Sequence, residues 1–253
     1  MKEDRNSLRW IEVEDPAEAT DALWVVRVGN GKRLERLVLD RQLLPEREIL
    51  HAQTIRHPLR RSSYIIARGA LRASLAPLLE TAPRDIVFET GEHGKPMVHG
   101  AFFNISHSCD WTLVAISSHC EIGVDIQEMR EETPIERIAA RFFTDTEHLA
   151  ILEERDHRAR RELFFRIWTR KEAYVKALGS GLFLERGEMD VPLMSDQFGG
   201  GASPAWRMLS FKPAKDYWAA VCAADSLRGL ATYEWIPQTT ARLSLHDGLK
   251  NRS

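Results

Sequence analysis

The 253-residue sequence is short of the features that mark secreted, membrane-spanning or nucleic-acid-binding chains. Its three cysteines, Cys109, Cys120 and Cys222, have no metal-ligand spacing and form no even set, so reduced thiols in a cytoplasmic protein are expected. No apolar run reaches the roughly 18 residues that a bilayer-crossing helix needs. The opening Met1-Lys2-Glu3-Asp4-Arg5 is charged with no apolar run behind it, so no signal peptide is expected. Positive charge is not in excess: the formal net charge is −2, which argues against a general nucleic-acid binder. Also missing are a G-x-G-x-x-G loop, which removes the main sign of a dinucleotide-binding fold, and any short internal repeat.

What is present centres on Phe164 to Gly179. Read at helical period, Phe164, Ile167, Lys171, Val175 and Leu178 form a mostly apolar stripe. Beside it Trp168, Glu172 and Lys176 recur every fourth residue, which stacks a ring, a carboxylate and an ammonium on one side. Gly179 is suited to end such a helix in the left-handed region. Upstream, Glu121 to Gln127 alternates as a strand does, with Ile122, Val124 and Ile126 pointing one way and Gly123, Asp125 and Gln127 the other. An acid in so apolar a strand needs compensation, and a hard divalent cation with oxygen ligands and substrate phosphates can supply it.

These two segments carry a resemblance. Gly123-Val124-Asp125-Ile126, followed by Trp168-Thr169-Arg170-Lys171-Glu172-Ala173-Tyr174-Val175-Lys176, resembles the paired G-x-D-[IV]-E and W-x-x-K-E-[AS]-x-x-K signatures of the 4′-phosphopantetheinyl transferases, in the spacing of their longer, Sfp-type branch. Gly94-Lys95-Pro96, Phe103-Asn104-Ile105-Ser106-His107-Ser108 and Arg141-Phe142-Phe143-Thr144 agree in order, and the similarity spans roughly residues 40 to 225. The pattern breaks at Gln127, where the branch has a third carboxylate.

The resemblance implies an α+β fold of two similar α/β halves with antiparallel-type sheets, related by a pseudo-twofold, with the active site between them. The halves would be residues 1–118, on the coenzyme A nucleotide side, and 119–237, with the metal and the catalytic helix; residues 238–253 would be a flexible tail. It implies Mg²⁺-dependent transfer of the phosphopantetheine arm of coenzyme A to a serine of an acyl or peptidyl carrier protein, in fatty acid, polyketide or nonribosomal peptide biosynthesis, with release of 3′,5′-ADP. A monomer is implied, with neither nucleic acid nor membrane as partner. Asp125, Gln127 and Glu172 would hold Mg²⁺; Glu172, or a metal-bound water, would take the serine proton; Lys176 would neutralise phosphate charge. Arg47, Arg61, Lys95, Pro96, Ser106 and His107 would contact coenzyme A. The alternative is a non-catalytic relative that binds coenzyme A or a carrier protein. A Ser-His-Asp hydrolase built on Ser106, His107 and Asp110 is rejected, because adjacent residues cannot set up the proton relay and no G-x-S-x-G elbow exists.

Along the rest of the chain, strands are expected at Leu23 to Val28, Asp85 to Glu89, Ala101 to Ile105, Trp111 to Ser117, Trp206 to Phe211 and Tyr217 to Ala223. Helices are expected at Glu35 to Arg41, from Pro45, from about Arg60 to Leu79 and at Ile135 to Arg141. The cations Arg56, His57, Arg60 and Arg61 at one helix start oppose the macrodipole and invite an anion. Thr144 to Glu147 reads as a capping box, and Glu153 to Arg161 as a solvated joint or helix face.

Overall fold

An apolar run such as Leu23-Trp24-Val25-Val26-Arg27-Val28 can be buried on both faces, and in the computed structural model it is. The structure describes residues 10–14, 23–91, 94–179, 197–198, 206–224 and 230–236. A short β1 (Ile11–Val13) precedes β2 (Leu23–Gly29). Helices α1 (Lys32–Asp40), α2 (Glu46–Thr54) and α3 (Pro58–Leu75) follow, then the small hairpin β3 (Glu89–Thr90) and β4 (Pro96–Met97), then the hairpin β5 (Phe102–Ser108) and β6 (Trp111–Ser117). The pattern then recurs. Strand β7 (Ile122–Glu128) leads to α4 (Ile135–Phe142), α5 (Asp145–Glu153) and α6 (His157–Leu178). After these come β8 (Gln197–Phe198), β9 (Trp206–Phe211), β10 (Tyr217–Ala223) and β11 (Ala231–Trp235).

The first sheet runs β1-β11-β2-β6-β5 and the second β7-β10-β9-β8. Within each, the opening strand lies antiparallel to the last strand of its half, which pairs with the one before it: β2-β6-β5 against β7-β10-β9. Two short helices and one long helix sit at the same place in both series. This is the mixed α+β architecture expected, with two halves of matching topology. Strand β11 falls inside the expected second half yet lies in the first sheet, parallel to β2.

Period-2 alternation turns the sheets into layers. Trp24, Val26, Val28, Val114 and Ile116 pack under α3 through Ile66, Ala70 and Leu71. The opposite face of the same strands, Leu23, Val25, Leu113 and Ala115, meets Ile122, Val124, Ile126, Ala219 and Val221 of the second sheet. Behind that sheet, Ala220 and Cys222 pack on Ala173 and Ala177 of α6. The order through the molecule is helix, sheet, sheet, helix. Among the described residues no helix is long and apolar enough to cross a membrane. None of Cys109, Cys120 and Cys222 is in a disulfide, and the last two are buried.

Most expected elements are present, and the departures have local causes. Helix α3 begins at Pro58, tolerated at a first turn, and stops at Leu75 because Pro77 lacks the N–H to continue it. Of the strand expected at Asp85 to Glu89 only Glu89 is in one, the short β3: Pro83–Asp85 is a 3₁₀ turn, and the buried Arg72 guanidinium takes the carbonyls of Pro83 and Ile86 at 2.7 and 2.9 Å. Those acceptors are spent on a side chain instead of a neighbouring strand. Strand β5 does not end at Ile105 but runs to Ser108, because β6 pairs with it up to the tight turn at Cys109-Asp110. The capping box at Thr144 is present, with Glu147 reaching back to the Thr144 N–H at 2.7 Å. Gly179 closes α6 at φ +70°. The flexible tail expected at 238–253 lies outside the described residues.

Candidate active site

Helix α6 crosses strand β7 at Gly123, and the contact is backbone on backbone. A Cβ there would stand 2.0 Å from the Ala173 carbonyl oxygen and 2.4 Å from the Ala177 nitrogen, so only glycine permits this approach. The same closeness delivers the Lys176 ammonium to Asp125, Nζ to Oδ1 at 2.6 Å. Asp125 is 1% exposed and its remaining contacts are specific. The Ser106 hydroxyl donates to Oδ1 at 2.8 Å, and the Gln127 amide donates to Oδ2 at 3.1 Å.

Glu172 lies one turn before Lys176 on α6 and is half-buried. Burial, then the charge of Asp125, holds its carboxyl above the ordinary value of 4.5, while Lys176 acts in the opposite sense. Two acids and one ammonium thus share a poorly solvated corner. On β5, desolvation and then the cations Lys176 and Arg60 hold the His107 imidazole below its usual 6.5, although part of the ring stays open to solvent. The imidazole thus lies within the field of two cations, Lys176 and Arg60.

Alternation along β5 separates Ser106 from His107. Ser106 points inward and is 5% exposed, while His107 points toward solvent. Ser106 Oγ also accepts the Ile126 N–H at 3.2 Å and the Lys176 ammonium at 3.0 Å. Its single proton and both lone pairs are therefore committed. One turn further back on α6, Trp168 stacks on Phe143 and Phe164. It closes one end of a cavity of about 360 Å³ that reaches Gln127 and is rimmed by Glu128 and Arg130.

The other residues singled out in the sequence stand further from this corner. Lys95 donates to Glu121 at 3.0 Å and to the Ala177 carbonyl at 3.2 Å, so it clips the C-terminal turn of α6 to the β3–β4 hairpin. Pro96 is exposed on β4. Arg61, in the first turn of α3, has a buried Nε with no hydrogen-bond partner among the described residues. Arg47 is exposed on α2, where its charge acts on Tyr64. Two features were not drawn from the sequence. Arg60, not Arg61, is the cation whose charge acts on His107. Asn104 and Ser108 join Ser106 in accepting the N–H groups of Val124 and Glu128 at 3.1 and 3.0 Å. The alternation of β5 was the available signal, but it was masked by ending the strand at Ile105.

Among the described residues no cluster of three or more His, Cys, Asp or Glu gathers as a metal site. Asp125, Glu172 and the Gln127 amide oxygen would nevertheless offer all-oxygen donors, and a divalent cation would relieve the Glu172 carboxylate, which burial and then the charge of Asp125 disfavour. That chemistry fits Mg²⁺.

Comparison with known proteins covers this part of the chain. Residues 121–222, which span Asp125, Gln127, Glu172 and Lys176, match the 4′-phosphopantetheinyl transferase superfamily. The chain is 32% identical over 184 residues to the 4′-phosphopantetheinyl transferase HetI of Nostoc sp. strain PCC 7120, covering 70% of this chain and 77% of that protein. It is 33% identical over 168 residues to a 4′-phosphopantetheinyl transferase of Bacillus subtilis, covering 63% and 73%. It is 36% identical over 149 residues to the 4′-phosphopantetheinyl transferase Sfp of Bacillus subtilis strain 168, covering 55% and 64%. With the paired motifs on one strand and one helix, and relatives aligned over most of their length, the chain belongs to the 4′-phosphopantetheinyl transferase superfamily.

Proposed function

We propose that this protein is a 4′-phosphopantetheinyl transferase that moves the phosphopantetheine arm of coenzyme A onto a serine of an acyl or peptidyl carrier protein. The serine oxygen attacks the β-phosphorus, the bond to the bridging oxygen breaks, and 3′,5′-ADP leaves with the electron pair. Such a transfer asks for in-line positioning, charge neutralisation and a proton acceptor. The observation that carries the reading is the buried Asp125 of β7, met by Lys176 of α6 with Glu172 one turn away.

Each residue has a task that its surroundings support. Glu172, whose proton affinity is raised by burial and by Asp125, accepts the serine proton. Lys176 and a neutral His107, with Arg60 behind it, receive the phosphates of coenzyme A. Arg61, with its buried and unpartnered Nε, is suited to the more distant phosphate. Mg²⁺, held by Asp125, Gln127 and Glu172, would neutralise charge on the pyrophosphate oxygens. One chain supplies β5, β7 and α6 around the site, which supports a monomer as the acting unit.

The test is mass spectrometry of an apo carrier protein incubated with the protein, coenzyme A and Mg²⁺. A gain of one phosphopantetheine, lost with a chelator and lost in Asp125→Ala, is expected. No gain across carriers of several types, with coenzyme A binding intact, would replace the transferase with a coenzyme A-binding relative.

A further inference from the structure

Strands β5 and β7 lie side by side at the seam of the two sheets, but side chains, not backbone, join them. Asn104 Oδ1, Ser106 Oγ and Ser108 Oγ accept the N–H groups of Val124, Ile126 and Glu128 at 3.1, 3.2 and 3.0 Å. Residues two apart on one strand meet residues two apart on the other, so the three rungs fix a parallel register. The middle rung differs from the outer two. Ser106 also donates to Asp125 at 2.8 Å and accepts from Lys176 at 3.0 Å.

We propose that Ser106 is a positioning residue for the cation site: one buried hydroxyl ties β5 to the β7 backbone, orients the Asp125 carboxylate and sets the Lys176 ammonium beside it. This rests on the reading of Asp125 as a cation ligand. Oδ1 is taken by Ser106 and Lys176, which leaves Oδ2, met by the Gln127 amide, as the oxygen less committed to the protein. The family resemblance places Ser106 against coenzyme A, but a hydroxyl with its proton and both lone pairs engaged has nothing left for a phosphate. Partners that orient a metal ligand in this way typically change affinity about 10–100-fold when removed.

The experiment compares the full-length wild type with Ser106→Ala and Asn104→Ala. It measures thermal unfolding, Mn²⁺ binding by the loss of the free-ion paramagnetic resonance signal, and coenzyme A affinity without metal. Ser106→Ala is expected to weaken Mn²⁺ at least about tenfold and to leave coenzyme A within about twofold. Asn104→Ala loses a rung without touching the carboxylate, so it should lower the unfolding temperature and keep Mn²⁺ affinity within about twofold. Should Ser106→Ala not fold, Ser106→Cys keeps the volume with a much weaker hydrogen bond and carries the same expectation. Weakened coenzyme A with unchanged Mn²⁺ would make Ser106 a phosphate ligand and overturn the proposal. Equal Mn²⁺ losses in both variants would reduce it to general loosening of the seam and overturn it too. The expected Mn²⁺ pattern without phosphopantetheine transfer would sink the reaction and leave this positioning role standing.

Discussion

Glu172 is held in a form that is unfavourable for folding. Its proton is bound more tightly in the folded chain than in the unfolded one, where the value is near 4.5. The stabilisation present below that value is therefore lost as pH rises through the higher folded value. Glu172→Gln removes the penalty, so its unfolding temperature should exceed that of the wild type at pH 8 in a chelator, with the difference shrinking toward pH 4. Transfer should meanwhile fall by about 10²–10⁴-fold, the usual contribution of a positioned acid or base. His107 works in the other direction. Its folded value lies below 6.5, so stability is lost as pH falls through that region, and His107→Gln should flatten the profile there. At Gln127 a carboxylate would add charge to the cation site, so Gln127→Glu should lower the Mg²⁺ concentration for half-maximal transfer. An unchanged or higher concentration would remove Gln127 from the ligand set.

At the scale of elements, α6 depends on two contacts of opposite kind. One is the bare crossing at Gly123, where Gly123→Ala must push the helix off the strand and so pull Lys176 from Asp125. The expected outcome is a folded but destabilised protein with weakened Mn²⁺ binding. The other is Lys171, whose ammonium meets Glu147 at 2.9 Å with both residues 2% exposed. Because Glu147 also caps α5, the pair pins one helix onto the other. Lys171→Met should cost about 3–5 kcal/mol in denaturant unfolding by stranding a buried carboxylate, and adding Glu147→Leu should recover much of the loss.

These two helices also show what was legible beforehand. The period of α6, its glycine stop, the alternation of β7 and the capping box of α5 are local patterns, and each was readable. The destination of Lys171 was not, because its partner lies on another helix. The Ile86 segment was misread for the same reason: Arg72 of α3 takes its carbonyls. Asp125, Glu172 and Lys176 could be named as a set from their motifs, whereas Ser106 as Asp125's anchor needed the third dimension.

At the scale of the molecule, the two sheets face one another across a shared core, and β1 and β11 are woven into the first. Strand β11 lies between β1 and β2, Trp235 donates to the Glu14 carbonyl at 2.9 Å, and Glu234 pairs with Arg27. A chain ending at Ala224 would leave the β2 edge bare over the pairing that Ala231 to Trp235 supply. Such an edge recruits other strands. The truncated protein should therefore aggregate, as judged by gel filtration, even though Asp125, Gln127, Glu172 and Lys176 are all retained.

That weave has a consequence for synthesis. Trp24 pairs with Ala231, 207 positions further along, so the partner of β2 leaves the ribosome long after β2 itself. At about 5–20 residues per second, the gap between them is on the order of tens of seconds. Throughout that interval the nascent first sheet keeps an open edge while the second is still being made. The first half therefore cannot finish folding ahead of the second, and its sheet closes only when the second half is already complete.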